Sequence, residues 1–191
     1  MYNILCVTNS RSCDFDFFKH IEALSKSNLY GIILREKHLS EIDYYYMAKE
    51  VLKICDKNNK LCILHNFVEI ALKLNCKSIH LPLNVLEKSK DYSKYFDLIG
   101  CSTHSVEQAQ LAQYYGANYI TYGHIFNTDC KKGLEPKGVE TINKIVSSVN
   151  IPVYPLGGIN KDNIKLVMSQ NVNGCAIMSG LMKQGYEDFL T

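Results

Sequence analysis

A polar loop in the second half of the chain carries the residues whose types are best suited to catalysis and ligand binding. It spans residues 123–133, directly after the apolar segment 119–122, and it contains His124, Thr128 and Lys131. An imidazole titrates near neutral pH and can therefore take up and release a proton. Hydroxyl and ammonium groups bind anions. The loop thus predicts acid–base chemistry on an anionic substrate, with His124 as the catalytic residue and Thr128 and Lys131 as substrate-binding residues.

Short apolar segments that alternate with longer amphipathic ones must position this loop. We interpret the apolar segments as strands and the others as helices, because the latter carry apolar residues three and four positions apart. Eight strands in strict alternation with helices predict an α/β fold, a (β/α)8 TIM barrel formed by residues 1–191 as a single domain. An open doubly wound sheet is the main alternative, because the segment after Ser78 is short and its helical pattern is weak. The predicted strands are residues 3–8, 29–35, 61–65, 78–81, 98–102, 118–123, 152–157 and 174–179, and the clearest helices are residues 42–56, 105–115, 139–149 and 161–169.

Polar residues follow other predicted strands too, and in such a barrel the chemistry lies at the carboxyl ends of the strands. The second strand delivers Arg35 and Lys37, and the fifth delivers Ser102. We predict that these three residues bind substrate, although isolated charges at a strand end are more often simply solvated. His65 fits a turn with satisfied polar groups, and His104 fits a loop-fixing hydrogen bond as well as it fits proton transfer.

The last two predicted strands end in glycine-containing turns, Gly157-Gly158 and Ser179-Gly180. Glycine lets backbone N–H groups approach an oxyanion closely, and a following helix adds a favourable dipole. Such barrels frequently hold a phosphate group at these two strands. We therefore predict that Gly158, Ser179 and Gly180 bind a phosphate.

The composition indicates which ligands and which cellular compartment the chain is suited to. The formal net charge of +2 comes without a stripe of Lys and Arg, which argues against nucleic acid and is compatible with a small-molecule phosphate ester. The eight cysteines form no C-x-x-C pair and indicate free thiols in a reducing compartment, and no segment reaches membrane-spanning length. Cys130 has no base and orienting group evident in the sequence, so we interpret it as uninvolved in catalysis. The prediction is a cytoplasmic protein without membrane attachment or cofactor, and a homo-oligomer is compatible with it.

The polar loop resembles that of the thiazole tautomerases, close relatives of thiamine phosphate synthase. The shared pattern is a strand followed by G-H-[hydrophobic]-F-x-T-D-C-K-K-G-L-E-x-[basic]-G-V, here residues 123–139. Residues 33–37 resemble the R-E-[RK] segment of the second strand, residues 100–105 the G-x-S-x-H-[ST] segment of the fifth, and residues 116–119 the G-A-D-Y before the sixth. Because synthase and tautomerase share these latter features, they imply the superfamily and its barrel rather than one reaction.

The chain departs from the synthase pattern where the synthase binds magnesium. Synthases carry N-D-[RD] after the third strand and H-[LI]-G-Q-[ED]-D after the fourth, and these aspartates hold the magnesium that accompanies pyrophosphate. Here residues 65–67 read H-N-F and residues 80–85 read H-L-P-L-N-V, so both aspartates are absent. Magnesium requires oxygen ligands, generally including carboxylates. The resemblance therefore implies a metal-free reaction on a phosphate ester.

That reaction is the one of a thiazole tautomerase, an isomerase of thiamine biosynthesis. It converts a dihydrothiazole carboxylate phosphate into the aromatic 2-carboxythiazole phosphate by moving a proton from the ring carbon that bears the carboxylate to the exocyclic carbon. The resemblance implies that His124 takes the first proton and returns the second. The residues that would bind the phosphate are Gly158, Ser179 and Gly180, and those that would face the carboxylate and the developing charge are Arg35, Lys37, Thr128 and Lys131.

Two alternatives remain open at this point. One is a thiamine phosphate synthase with an unusual metal site. The other is a non-enzymatic, phosphate-ester-sensing regulator on the same fold, because fold does not determine function.

Overall fold

The computed structural model describes residues 2–128, 131 and 133–190 and arranges them around a closed barrel of parallel strands. The strands are β1 Ile4–Val7, β2 Gly31–Leu34, β3 Leu61–His65, β4 Ser78–Pro82, β5 Leu98–Thr103, β6 Tyr119–Gly123, β7 Val153–Leu156 and β8 Cys175–Ile177. Each strand pairs with its neighbours along the chain, and β1 also pairs with β8, with Ile4 opposite Cys175. This last pairing closes the sheet, so the predicted TIM barrel is confirmed and the open sheet is wrong.

Helices connect the strands and cover the outside of the barrel. They are α1 Phe17–Lys26, α2 Glu41–Lys57, α3 Val68–Lys73, α4 Leu83–Lys88, α5 Val106–Tyr114, α6 Ile142–Val146, α7 Ile164–Met168 and α8 Ser179–Met182. Short 3-10 turns lie at Ser10–Ser12, Lys90–Tyr95, Val139–Thr141 and Tyr186–Phe189. None of the helices in the described ranges is long and apolar enough to cross a membrane.

The last two predicted helices are shorter in the structure than their apolar patterns indicate. Helix α6 is preceded by the 3-10 turn Val139–Thr141. Helix α7 begins only at Ile164, because the side chains of Asn160 and Asn163 bind backbone N–H groups of the preceding turn. Such local hydrogen bonds compete with helical ones and delay the start of a helix.

Among the helices of the described ranges, three start at a side-chain cap. Asp16, Ser40 and Ser105 each accept a hydrogen bond from the N–H group three residues further on, at the start of α1, α2 and α5. A cap of this type contributes about 1 kcal/mol to helix stability. The Ser105 cap also matters for the site, because it begins α5 directly after His104 at the end of β5.

The apolar side chains form two layers, because successive residues of a strand point to opposite faces of the sheet. The inward-facing layer is a buried cluster inside the barrel, formed by Leu5, Val7, Ile33, Ile63, Tyr119, Tyr154 and Ala176. Intervening residues such as Cys6, Ile32 and Leu64 belong to the larger cluster between the strands and the helices. Since both faces are apolar, a polar side chain inside the barrel needs a hydrogen-bond partner.

Candidate functional site

A cavity of about 160 Å³ lies at the carboxyl ends of the strands. Its apolar floor is formed by barrel residues such as Val7, Ile33 and Ala176. The predicted site residues that line it are Arg35, Ser102, His124, Thr128, Lys131, Gly158 and Ser179. An adjoining groove of about 490 Å³ shares Thr128, Lys131, Gly158 and Ser179 with the cavity and adds Gly180. The structure thus brings together all the predicted site residues except Lys37.

Lys37 lies beside this cavity instead of in it. Its side chain lines a separate hollow of about 240 Å³, together with Asn66 and Phe67. Partial burial lowers the pKa of the Lys37 ammonium, and the charges of Arg35 and Lys131 lower this pKa further. The charge of Lys37 therefore acts on the mouth of the barrel although the side chain lies in the neighbouring hollow.

The turn that carries Arg35 and Lys37 is fixed by the carboxylate of Glu36 between them. It is buried and accepts hydrogen bonds from Thr8 Oγ1 at 2.6 Å, from the Ser10 N–H at 2.9 Å and from Ser10 Oγ at 2.7 Å. These bonds fix the turn after β2 against the loop that follows β1. Because the carboxylate of Glu36 is saturated by protein donors, it serves to hold Arg35 and Lys37 in place.

His124 opens the loop after β6 and is buried, with 8% of its surface exposed. The peptide bond between Gly123 and His124 is cis. The N–H of Ile125 donates to the carbonyl oxygen of Leu156 at 2.9 Å, so the loop runs along the end of β7. His124 Nε2 lies 3.3 Å from the carbonyl oxygen of Leu134. A carbonyl oxygen can only accept, so Nε2 carries the hydrogen and, in the neutral imidazole, Nδ1 is the proton acceptor.

The turns after β7 and β8 face the same groove. Gly158, Ser179 and Gly180 line it, and their backbone N–H groups donate to no residue that the structure describes. Gly158 has a φ of +66°, and a Cβ atom at this position would lie 2.5 Å from the carbonyl oxygen of Asn127. A side chain would thus collide with the loop after β6, and only glycine allows the two loops to approach this closely. The structure places these N–H groups around one groove, and their binding of phosphate stays a prediction.

Two histidines at the inner end of the cavity were not predicted as site residues. His65 ends β3 instead of lying in a turn, and it is opposite His80 in the register of β3 and β4. The ring centroids of His65 and His80 are 6.0 Å apart, with 19° between the ring planes. Burial lowers the pKa of His65 to about 2 and that of His80 to about 3, with smaller contributions from nearby charges such as Arg35. Both rings are therefore neutral at physiological pH.

The ring of His80 is held at both nitrogens. Nδ1 lies 2.9 Å from the hydroxyl of Tyr119, and Nε2 lies 2.9 Å from the hydroxyl of Ser102. Thr121 Oγ1 lies 3.4 Å from Nε2. A signal in the sequence could have revealed His80, because it is a polar residue at an inward-facing position of a strand. The next strands of the barrel also carry hydroxyl groups at inward-facing positions.

His104 fixes the end of β6. Its Nδ1 donates to the carbonyl oxygen of Gly123 at 2.7 Å, and its backbone N–H donates to Gln108 Oε1 at 2.8 Å. The structure therefore shows the loop-fixing hydrogen bond that the sequence left as one of two options. The side chain also lines the cavity. Cys130, together with Asp129 and Lys132 of the loop motif, lies outside the described residues.

Comparison with known proteins supplies the family. The family model described as thiamine monophosphate synthase matches residues 4–181. The chain belongs to the thiamine monophosphate synthase family. The thiamine-phosphate synthase of Clostridium tetani is 38% identical over 160 residues, which cover 81% of this chain and 74% of that protein. The thiamine-phosphate synthase of Fusobacterium nucleatum is 34% identical over 184 residues, which cover 95% and 89%.

Solved structures agree with this family and with the barrel. The thiamine phosphate pyrophosphorylase from Pyrococcus furiosus matches with a TM-score of 0.86 at 27% identity, covering 99% of this chain and 91% of that one. An N-acetylmannosamine-6-phosphate 2-epimerase from Clostridium perfringens, with a TM-score of 0.68 at 14% identity over 97% and 89% of the two chains, shares the fold alone. Both sequence relatives are named thiamine-phosphate synthase, which is one of the two alternatives to a tautomerase given above. A tautomerase activity therefore stays a proposal.

The magnesium site of the synthase pattern does not fit the residues present here. Asn66, Phe67 and Val85 stand in the segments where that pattern has its aspartates. Among the described residues no Asp or Glu lines the main cavity, and no group of three His, Cys, Asp or Glu side chains could hold a metal ion. Magnesium prefers several oxygen ligands that include carboxylates.

Proposed function

We propose that this member of the thiamine monophosphate synthase family is a thiazole tautomerase. The observation that carries the proposal is His124, buried in a cavity that adjoins the glycine-lined groove and that no described carboxylate lines. A groove lined by backbone N–H groups that donate to no described residue, beside a buried imidazole, suits a proton transfer on a phosphate ester. It suits the displacement of pyrophosphate less well, because that reaction in the synthase pattern depends on a metal held by carboxylates.

In this proposal the substrate spans the groove and the cavity. Its phosphate accepts hydrogen bonds from the N–H groups of Gly158, Ser179 and Gly180. The resemblance implied that Lys131 faces the carboxylate, but Lys131 also lines the groove with these residues, so we assign its charge to the phosphate. Its ring lies over the apolar floor of the cavity. The phosphate and the carboxylate are attached at opposite sides of the ring, so the carboxylate points away from the groove, toward Arg35 and Ser102.

Proton transfer then takes two steps on one face of the ring. His124 Nδ1 accepts the proton from the ring carbon that bears the carboxylate, and the electron pair of the broken C–H bond moves into the ring. The exocyclic double bond becomes a single bond as its terminal carbon takes the proton back from the imidazolium. The ring becomes aromatic, and no net proton is gained or lost. The positive charges of Arg35, Lys37 and Lys131 stabilise the negative charge that develops between the two steps.

The decisive experiment is incubation of the purified protein with the dihydrothiazole carboxylate phosphate in the presence of a chelator. We expect the aromatic product to form faster than in a sample without protein, as followed by ultraviolet absorbance and by proton NMR. His124→Ala, matched with His124→Gln, separates catalysis by this side chain from spontaneous aromatisation. A rate equal to that of the protein-free sample would refute the proposal.

The second candidate is thiamine phosphate synthase, favoured by the names of the relatives at 38% and 34% identity. It is tested by supplying thiazole phosphate, a pyrimidine pyrophosphate and magnesium and by assaying for thiamine phosphate. Turnover in either assay would also contradict the non-enzymatic, phosphate-ester-sensing regulator.

A further inference from the structure

We propose that His80 and Tyr119 are positioning residues that orient the hydroxyl of Ser102 as a hydrogen-bond donor to the carboxylate of the substrate. The orientation of the hydroxyl follows from the structure alone, whereas the identity of its acceptor rests on the proposed function. Neither His80 nor Tyr119 belongs to the predicted site, and Tyr119 does not line the cavity.

The side chains of His80 and Tyr119 meet inside the barrel, next to a glycine. His80 and Tyr119 are buried, with 3% and 4% of their surfaces exposed. In the register of the barrel Gly100 lies opposite His80 on one side and opposite Tyr119 on the other. A Cβ atom on Gly100 would collide with the Tyr119 ring and with His80 Nδ1. A glycine between the two strands therefore lets the phenol and the imidazole meet.

The hydrogen bond between them determines the tautomer of His80. Tyr119 Oη lies 2.9 Å from His80 Nδ1 and has no other hydrogen-bond partner in the described part of the chain. A buried O–H group without an acceptor is costly, so Tyr119 donates its hydrogen to Nδ1. Burial also keeps the imidazole neutral, since it lowers the pKa of His80 to about 3. Nδ1 is consequently the unprotonated nitrogen, and the single ring hydrogen is on Nε2.

The tautomer in turn determines the direction of the Ser102 hydroxyl. Nε2 donates to Ser102 Oγ at 2.9 Å, so this oxygen acts as an acceptor toward His80. Within the described residues the Ser102 hydroxyl has no other partner, and its own hydrogen is left to point into the cavity that the side chain lines. Thr121, 3.4 Å from the same Nε2, lines the cavity too. The inner end of the cavity therefore offers a hydroxyl donor to an acceptor group of the ligand.

The acceptor that fits best is a carboxylate. The groove around Gly158, Ser179 and Gly180 is lined by the turns after β7 and β8, whereas Ser102 lies on β5 and does not line that groove. A ligand whose phosphate occupies the groove thus presents its opposite end to Ser102. Arg35 lines the same cavity and supplies the positive charge that a carboxylate requires.

The orientation is tested without any ligand. In protein labelled with ¹⁵N at histidine, long-range ¹H–¹⁵N correlation spectra report the tautomer of each ring, and His80→Gln assigns the signals of His80. We expect His80 to carry its hydrogen on Nε2 in the wild type. Tyr119→Phe should weaken this preference, and Tyr154→Phe, a second inward tyrosine without a bond to His80, should leave it unchanged. A hydrogen on Nδ1 in the wild type would overturn the proposal.

The acceptor is tested with two ligands that differ in one group, 2-carboxythiazole phosphate and thiazole phosphate without the carboxylate. Calorimetry measures the affinity for each ligand. Ser102→Ala and Tyr119→Phe should each lower the affinity for the carboxylated ligand by about tenfold or more and leave the affinity for the other ligand unchanged. The double variant should lose no more than Ser102→Ala alone, because both act through one hydroxyl. Equal losses for both ligands would overturn the carboxylate assignment. If the wild type bound neither ligand, the proposed function would fail as well, while the NMR result would still stand.

Discussion

His104 Nδ1 donates a hydrogen bond of 2.7 Å to the carbonyl oxygen of Gly123, the residue immediately before His124. His104 therefore fixes the backbone directly before His124. His104 is itself held through its backbone N–H by Gln108, in the first turn of the helix that Ser105 caps. The loop that carries the proposed proton-transfer group is thus anchored to the neighbouring strand and helix.

Replacement of His104 tests this anchoring. His104→Ala should lower kcat by about 10- to 100-fold, because a small displacement of His124 misaligns the proton transfer. The affinity for the phosphate product should change less, since the glycine-lined groove does not include His104. Steady-state kinetics and calorimetry provide the two values. A loss as large as that of His124→Ala would instead assign His104 to the chemical step.

His124→Ala should lower the rate of aromatisation by about 100- to 10,000-fold, which is the usual contribution of a general acid–base group. Binding of the phosphate product should persist, because the groove is formed by other residues. Single-turnover kinetics and product titration measure the two effects. An undiminished rate would exclude His124 from the mechanism.

Lys131→Ala should weaken binding of the phosphate product by about tenfold, because it removes an exposed ammonium group at the groove. The loss should be smaller at high salt and absent for the dephosphorylated analogue. Lys144→Ala, on the exposed surface of α6, is the matched control and should bind as the wild type does. Equal effects of the two substitutions would show that Lys131 acts only through net charge.

Removal of divalent metal should leave the activity unchanged. Asn66, Phe67 and Val85 do not provide the carboxylates that magnesium prefers, so we expect equal rates with and without a chelator. We also expect no thiamine phosphate from thiazole phosphate and a pyrimidine pyrophosphate. Chelator-sensitive formation of thiamine phosphate by the purified protein would favour the synthase instead.

The stability of the fold should fall at acidic pH because of the buried histidines. The folded state holds the pKa of His65 at about 2 and that of His80 at about 3, below the ordinary value of 6.5. Above pH 6.5 neither state binds these protons. Below it the unfolded state does, so the free energy of unfolding decreases as pH falls, by up to about 1.4 kcal/mol per pH unit for each histidine. Urea denaturation between pH 7 and pH 5 measures this slope.

His80→Gln provides the comparison for that experiment, because glutamine does not titrate. The variant should show a shallower decrease of stability with falling pH than the wild type, whatever its stability at pH 7. Identical slopes would mean that His80 is protonated in the folded protein, contrary to its burial in the barrel.

The amino-acid sequence by itself determined the alternation of strands and helices and the position of the polar loop. A parallel strand buried on both faces must be apolar almost throughout, so β1 to β8 are visible as apolar segments. Polar residues such as His124 and Ser102, and the glycines after β7, then mark the strand ends. Helix α7 was less accurately predicted, because the local hydrogen bonds of Asn160 and Asn163 compete with the helical pattern. Helix α6 is shorter than predicted because its first turn is the 3-10 turn Val139–Thr141.

Only the tertiary structure decided which of these residues meet. Closure of the barrel depends on pairing between β1 and β8, at opposite ends of the chain, and as a result Arg35 and Ser179 line one cavity. The contacts of Glu36 with the loop after β1 fix the turn between Arg35 and Lys37, and Lys37 lines the neighbouring hollow. The role that we propose for His80 depends on the register that sets Gly100 between it and Tyr119. Such contacts join residues that are far apart in sequence. The partner of each residue therefore cannot be predicted from the residues next to it in the chain.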